Sequence, residues 1–161
     1  MLGHDTMSIN NKNLPKKPGV YLLVLEVKQD IEVYTRRKKF YVPRGVYVYV
    51  GSAKGSGGLY ARVKRHLSNV KRLFWHIDYL LENNNVAVKR VFYKVIEDNG
   101  KDYESLLARC LVEKLKPIPN FGCSDKPGDY SHLFKCGRDL EECINRLQDI
   151  LDIDLKTLRI R

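Results

Sequence analysis

Long apolar runs and closely spaced cysteine pairs are both missing from this sequence. No apolar stretch approaches the length of a membrane-spanning helix, so we expect a cytoplasmic protein with no membrane partner. The four cysteines form no C-x-x-C pair and no signal peptide precedes them, which predicts reduced thiols. A zinc site built from Cys123, His132 and Cys136 is disfavoured, because their spacing matches no common ligand pattern.

Acidic residues are few compared with basic ones. Asp and Glu together number 19 against 29 Lys and Arg, which gives a formal net charge of +10. An anionic partner is therefore expected, with nucleic acid ahead of membrane or acidic protein, and a basic surface that binds nothing is the alternative. A chain of 161 residues normally forms one domain. We expect that domain over residues 15–161, preceded by a segment at 1–14 that is disordered or left over from expression.

Residues 45–67, GVYVYVGSAKGSGGLYARVKRHL, are typical of a strand, a glycine-rich turn and a basic helix in succession. The alternation of valine and tyrosine predicts a strand covered on both faces, with Tyr47 and Tyr49 on the same one. The glycines permit a close approach of ligand to backbone, but the turn lacks the G-K-[ST] ending of a Walker A loop. In the helix, four-residue spacing predicts a buried seam with Arg62 and His66 at its flanks. The seam residues are Leu59, Val63, Leu67 and Val70.

Two apolar patterns precede this stretch. Residues 19–27 predict a strand in the interior of a sheet, with Tyr21 facing the same way as Leu23 and Leu25. Residues 28–44 predict a charged hairpin, because short alternating runs flank four consecutive cations. These cations either contact a phosphate backbone or form a solvated tip, and the sequence favours neither. They are Arg36, Arg37, Lys38 and Lys39.

The second half of the chain predicts helices around one more strand. Asp102 is placed to cap a helix, and Glu104 continues the apolar stripe of its first turn, which is unusual for a glutamate without a role. The strand at 86–96 has alternating polar positions, which predicts that it lies at the edge of the sheet or is half exposed. In order, the elements are a helix at 74–82, the strand at 86–96, the Asp102 helix to about Leu115, a loop-rich return at 118–135 with a short strand at 132–135, and a last amphipathic helix at 138–151.

Gly19-Val20-Tyr21 and Tyr49-Val50-Gly51 resemble the two halves of the GIY-YIG nuclease signature. The similarity extends to Arg62 and His66, where that family carries an arginine and often a histidine on the first helix. It also extends to Glu104, where the family carries a metal-binding glutamate. The two halves are farther apart than usual, so the basic segment between them is interpreted as an insertion. The whole chain is most similar to an uncharacterised, mainly archaeal and bacterial branch of the family, the DUF123 type.

The resemblance implies an α/β fold with a small, largely antiparallel central β-sheet flanked by helices, an inserted basic hairpin and a C-terminal helix. It also implies a metal-dependent endonuclease that hydrolyses DNA phosphodiester bonds and is directed by DNA structure or by a lesion. The alternative is a non-catalytic nucleic-acid-binding module of the same fold, acting beside a repair or recombination protein. A basic protein-interaction domain is a third interpretation, and it predicts DNA binding with little salt dependence.

The resemblance further implies a role for each matching residue. Tyr49 is the candidate general base, although a free phenol has a pKa of about 10 and needs a neighbouring cation to work near neutrality. Tyr21 assists it, Arg62 binds phosphate oxygens as negative charge builds, and His66 positions water or phosphate. Glu104 holds one Mg²⁺ or Mn²⁺. Taken singly, each residue has a structural alternative, such as a buried strand tyrosine, a surface arginine or a glutamate favoured by the helix dipole.

Two further groups of candidates come from the basic surface and from polar residues outside the signature. The expected nucleic-acid-binding residues are Arg36, Arg37, Lys38, Lys39, Lys54, Lys64 and Arg65. The candidate accessory residues are His76, Asn120 and Ser124.

Overall fold

A computed structural model describes residues 14–69, 71–97 and 100–160. Two parts of the sequence predictions lie outside the described residues: nearly all of the expected disordered segment, and Val70 of the predicted helical seam. The strands are β1 (Gly19–Val27), β2 (Ile31–Tyr34), β3 (Lys39–Val42), β4 (Gly45–Ala53), β5 (Val86–Val95), β6 (Lys116–Pro117), β7 (Leu133–Gly137) and β8 (Lys156–Arg159). The helices are α1 (Gly58–Leu67), α2 (His76–Leu81), α3 (Tyr103–Val112) and α4 (Leu140–Ile150).

The central sheet confirms the predicted α/β fold. Within the described ranges it has six strands in the order β6-β7-β4-β1-β5-β8, and every neighbouring pair is antiparallel. The long strands β1 and β4 lie at its centre, as their nearly continuous apolar sequences predict. Their register places Leu23 opposite Tyr49 and Tyr21 opposite Gly51. Because side chains alternate between faces, Tyr21 and Tyr49 share one face of the sheet.

Each face of the sheet has its own hydrophobic core. One core contains Tyr21, Tyr49 and the apolar residues of α1 and α2, together with the inner side of the β2–β3 hairpin. The other contains the alternate residues of β1 and β4, packed against α3 and α4. The sheet is therefore the middle of three layers, and the signature tyrosines lie on the side of α1.

The predicted charged hairpin is present as a separate two-stranded sheet. β2 and β3 pair with each other and alternate strictly between buried and exposed residues. The buried positions join the core of the α1 side through Ile31, Val33, Phe40 and Val42. The turn between the strands therefore projects its cations from a firmly anchored base.

Three details of the fold refine or extend the sequence predictions. Of the two alternatives for β5, the half-exposed strand is the correct one, because most of its side chains are partly buried and it pairs with β1 on one side and β8 on the other. β8 is short and mostly charged, with only Leu158 buried, so its pattern does not stand out in the sequence. In α1 the buried stripe ends in His66, while Leu67 is only partly buried.

The prediction that the thiols are reduced is wrong for two of the four cysteines. Cys136 and Cys143 form a disulfide between β7 and α4, with a Cα–Cα distance of 4.8 Å. The bond arises because α4 folds directly back on β7, which brings together residues only seven positions apart. Cys110 and Cys123 are free thiols. The disulfide also removes Cys136 from the disfavoured zinc site.

No helix in the described ranges is long and apolar enough to cross a membrane.

Candidate active site

Four predicted catalytic residues come together from three elements on the α1 face of the sheet. Tyr21 of β1 and His66 of α1 share a hydrogen bond of 2.7 Å between the phenol oxygen and Nε2. Tyr49 of β4 lies against the same imidazole, with the ring centroids 6.4 Å apart. Arg62, one helical turn before His66, is close enough for its charge to lower the pKa of the Tyr21 phenol against the larger effect of burial. The structure therefore brings these four residues together, and their catalytic role stays a prediction.

Two glycines of the signature are required by close packing around this cluster. A Cβ atom at Gly51 would lie 2.4 Å from the hydroxyl oxygen of Tyr21. A Cβ at Gly19 would lie 2.6 Å from Leu59 Cδ1 of α1 and 2.3 Å from a carbonyl oxygen of β5. Gly51 thus makes room for the tyrosine ring across the strand pair, and Gly19 lets α1 approach the sheet.

We expect Gly51→Ala to displace Tyr21 from His66 and to lower the free energy of unfolding by about 1–3 kcal/mol, the usual cost of overpacking. The matched control is Gly55→Ala in the glycine-rich turn, where a Cβ would have no neighbour within 4 Å. Urea denaturation followed by circular dichroism measures both variants. Equal stability of the two would contradict the steric role of Gly51.

The two tyrosine hydroxyls have different surroundings. Burial raises the pKa of both phenols, and the negative charge of Glu104 adds to that rise. The Tyr21 hydroxyl is bonded to His66, whereas the Tyr49 hydroxyl makes no hydrogen bond to a residue in the described ranges. Burial lowers the pKa of His66 to about 3, so its imidazole is neutral at physiological pH. Tyr49 is therefore the phenol that can bind water or a phosphate oxygen directly.

Arg62 is held in place by its backbone and aromatic neighbours. Its Nη1 donates to the carbonyl oxygen of Ser52 at the end of β4, at 2.9 Å. Its guanidinium lies over the Trp75 ring, 4.4 Å from the centroid. Guanidinium has five N–H donors in a planar fork, so most of them are left for a ligand after the bond to Ser52. This placement suits a fixed cation that binds phosphate oxygens.

The sequence predicted that Arg65 binds nucleic acid, but its guanidinium is bound by other residues of the protein. Its guanidinium donates to both carboxylate oxygens of Asp78, at 2.7 and 2.8 Å, and also to the carbonyl of Arg72. It covers the same Trp75 ring as Arg62, again at 4.4 Å. The Arg65 pair with Asp78 therefore fixes the ring that supports Arg62.

Glu104 is the second residue of α3, the helix that packs on the sheet face opposite the tyrosines, and its negative charge still acts on both phenols. Its side chain is 12% exposed, and its two oxygens lie 3.7 Å from Lys126 Nζ and from His132 Nδ1 respectively. Burial raises the pKa of the carboxyl, and the charges of His132 and Lys126 oppose that rise. A cavity of about 520 Å³ adjoins it, bordered by Gly19 and Ser52 of the central strands.

The donor set around Glu104 fits a single hard cation. The carboxylate accepts no hydrogen bond from a described residue, and its contacts to Lys126 and His132 are both as long as 3.7 Å. No group of three or more His, Cys, Asp or Glu side chains that could hold a metal occurs in the described part of the chain. A cation held by one carboxylate would keep most of its water ligands, and Mg²⁺ characteristically does so.

A family model described as Domain of unknown function DUF123 matches residues 20–152. The chain belongs to this family. The match includes the whole tyrosine, arginine and histidine cluster as well as Glu104, so the candidate site lies within the DUF123 domain. No curated protein and no solved structure matches the chain.

His132 lies beside Glu104 in the DUF123 domain, and the sequence pointed to it only as part of a disfavoured zinc site. The imidazole is fully buried, and its Nε2 lies 2.8 Å from Asp129 Oδ2. Asp129 also accepts a hydrogen bond of 2.6 Å from the Ser105 hydroxyl, one residue after Glu104. His132 Nδ1 faces Glu104 and has no hydrogen-bond partner in the described ranges. No sequence signal links Glu104 to a histidine 28 positions later (132 − 104), since a loop-rich return joins them.

The candidate accessory residues differ in their relation to the DUF123 site. His76 accepts a 2.9 Å hydrogen bond at Nδ1 from the Gly122 amide and packs on Phe121, whose ring contacts Tyr49. Asn120 and Ser124 are exposed in the loop after β6, and no described contact joins them to the tyrosines.

Of the predicted nucleic-acid-binding residues, Arg65 alone is not exposed. The exposed ones are Arg36, Arg37, Lys38, Lys39, Lys54 and Lys64.

Proposed function

We propose that this DUF123 domain is a metal-dependent endonuclease that hydrolyses DNA phosphodiester bonds, directed by DNA structure or by a lesion in repair or recombination. The observation that carries the proposal is that Tyr21, Tyr49, Arg62 and His66, from three elements, lie together on one face of the sheet, where the negative charge of Glu104 still raises the pKa of both tyrosines. The resemblance to the GIY-YIG signature supports it, because the same residues carry that resemblance.

The reaction has water attacking phosphorus while the bond from phosphorus to the leaving oxygen breaks. The free hydroxyl of Tyr49 binds and orients the attacking water, which must lose a proton. Burial keeps Tyr49 protonated at neutral pH, so it accepts that proton only after its own has passed to bulk water, and the leaving oxygen takes a proton from bulk water in turn. Arg62 binds the phosphate oxygens, where its fixed charge stabilises the negative charge of the transition state.

Tyr21 and His66 form a hydrogen-bonded pair beside Tyr49. Burial raises the pKa of the Tyr21 phenol and lowers that of His66, so we assign the proton of this bond to the phenol, which donates to His66 Nε2. The bond orients Tyr21, and His66, with a pKa of about 3, accepts the hydrogen bond without taking the proton.

Glu104 is the residue that would hold Mg²⁺ or Mn²⁺. When bound, such a cation supplies positive charge that stabilises anionic oxygens and lowers the pKa of nearby hydroxyl groups. The structural reason for the fit is the largely buried carboxylate without hydrogen-bond donors to satisfy it. Lys126 forms ion pairs with both Asp102 and Glu104, so these three side chains together carry a net negative charge.

The experiment that tests the proposal is nicking of supercoiled plasmid and of flap, bubble and branched DNA, with Mg²⁺ or Mn²⁺ and with EDTA. Wild type is expected to cut in the presence of either metal. Tyr49→Phe keeps the ring and removes the free hydroxyl, so we expect a loss of about a hundredfold or more in rate. Tyr130→Phe changes an exposed tyrosine elsewhere and serves as the matched control.

A non-catalytic module gives a different result in the same experiment. Wild type would then bind these DNAs with steep salt dependence but cut none of them, and Tyr49→Phe would bind equally well. That outcome would replace the nuclease with the binding module, acting beside a repair or recombination protein.

A further inference from the structure

The hairpin presents two tyrosine rings on the side that faces away from the core. β2 and β3 pair so that Tyr34 lies opposite Lys39 and Glu32 opposite Tyr41. All four side chains share the outer face, and Tyr34 and Tyr41 are 63% and 57% exposed. The two tyrosines are diagonal neighbours across the strand pair, which places them about 7–8 Å apart.

The polar ends of both tyrosines are already occupied. The Tyr34 hydroxyl donates to Glu32 at 2.9 Å, and the Tyr41 hydroxyl donates to Asp30 at 3.2 Å. Lys39 lies 3.6 Å from the Glu32 carboxylate, which offsets its negative charge, and Nζ is 5.9 Å from the centroid of the Tyr34 ring. The parts of the tyrosines that remain available to a ligand are therefore the flat faces of the rings.

Unpaired cations lie at the tip beside these rings. Arg36, Arg37 and Lys38 are exposed, and none forms an ion pair with a described carboxylate. The tip is shaped by Thr35, whose amide donates to the Lys38 carbonyl at 2.8 Å and whose hydroxyl oxygen accepts from the Lys38 amide at 3.1 Å. Exposed rings next to backbone-binding cations are the combination that proteins use to bind single-stranded nucleic acid.

The hairpin is joined to the candidate active site through its inner face. Phe40 packs on Phe121 and on His76, with ring centroids 4.9 and 5.0 Å apart. Phe121 in turn contacts Tyr49, at 6.4 Å. The charge of Lys38 also reaches His76. The hairpin that carries the outer face is thus packed, through Phe40 and Phe121, against the candidate site.

We propose that the outer face of the hairpin, defined by Tyr34 and Tyr41, stacks the bases of an unpaired DNA strand while the tip cations hold its backbone. The substrate class is then DNA with a single-stranded segment next to the duplex, as in flaps and bubbles. Intact duplex does not fit, because its bases are stacked on one another. This inference rests on the proposed function, since it takes DNA as the substrate.

The test measures DNA binding by fluorescence anisotropy in EDTA, so that cleavage plays no part. The probes are a blunt duplex, the same duplex with a single-stranded tail, and a duplex whose tail lacks bases. The variants are Tyr34→Ala with Tyr41→Ala, the matched pair Tyr34→Phe with Tyr41→Phe, and Tyr130→Ala as an exposed aromatic elsewhere. Thermal melting of each variant confirms that it is folded.

The alanine pair is expected to weaken binding of the tailed duplex by at least about tenfold for each ring lost. The phenylalanine pair and Tyr130→Ala should bind it like wild type. The tail without bases should bind wild type about as weakly as the intact tail binds the alanine pair, because only the backbone contacts of the tip cations remain. Three results would overturn the inference: an alanine pair that binds like wild type, an equal loss on blunt duplex, or an equal loss in the phenylalanine pair.

Failure of this inference can be told from failure of the proposed function. If only the nuclease proposal is wrong, wild type cuts nothing, but its preference for the tailed duplex still depends on the two rings. If only the stacking inference is wrong, wild type cuts DNA in the presence of metal, and the alanine pair binds and cuts tailed and blunt substrates as wild type does.

Discussion

Glu104→Gln is expected to abolish metal-dependent cleavage, with a loss of more than about a hundredfold, since residues that only hydrogen-bond a metal ligand already cost about 10- to 100-fold when changed. Glutamine keeps the shape of the side chain but removes the charge that a hard cation requires. The fold should be retained, because the carboxylate accepts no hydrogen bond from a described residue and Lys126 keeps its pair with Asp102. The measurement is the rate of plasmid nicking over a range of Mg²⁺ and Mn²⁺ concentrations.

The direction of the Glu104→Gln effect separates two roles for this carboxylate. Its charge raises the pKa of Tyr21 and Tyr49, so a residue that only tuned the tyrosines would, once neutralised, make them easier to deprotonate. Cleavage would then become faster or shift to lower pH, and that result would contradict a ligand role. Glu113→Gln, at the exposed C-terminal end of the same helix, should cut like wild type.

The centre of the fold was predictable because local patterns and long-range pairing agree there. β1 and β4 are long, apolar and rich in β-branched residues, and a period of two places Tyr21 and Tyr49 on opposite strands of one face. The edges were not predictable. β8 has a single buried residue, and β5 looks half exposed along its own sequence although strands flank it on both sides. Strand order depends on contacts that no short window of sequence contains.

The candidate site was predictable only as far as the family signature reaches. The signature identified the residues that meet at His66, and the structure adds why its glycines are needed there. The signature does not identify the residues that hold the site in place. Arg65 has the sequence pattern of a surface cation, but its guanidinium is bound by Asp78, 13 positions later. The disulfide likewise depends on α4 folding back on β7, which the spacing of the cysteines does not indicate.

Asp78→Ala is expected to give the largest loss of stability, about 3–5 kcal/mol in the free energy of unfolding, because it leaves a buried charge without its partner. The Asp78 side chain is 0% exposed and accepts two hydrogen bonds from Arg65 and one each from the amides of Phe74 and Trp75. Alanine would leave all of these donors unsatisfied. Urea denaturation at neutral pH measures the loss, and Asp149→Ala on the exposed side of α4 is the control.

The pH dependence of the Asp78→Ala effect checks its electrostatic origin. Burial alone would raise the pKa of Asp78, but the bonds from Arg65 and the two amides outweigh it and hold the pKa below its usual value. A carboxyl whose pKa is lowered on folding contributes stability above its unfolded pKa of about 3.9, and that contribution is lost as the pH falls through the folded value. The difference between wild type and variant should therefore narrow below about pH 4. A difference that stayed constant in acid would mean that Asp78 stabilises the fold by packing rather than by its charge.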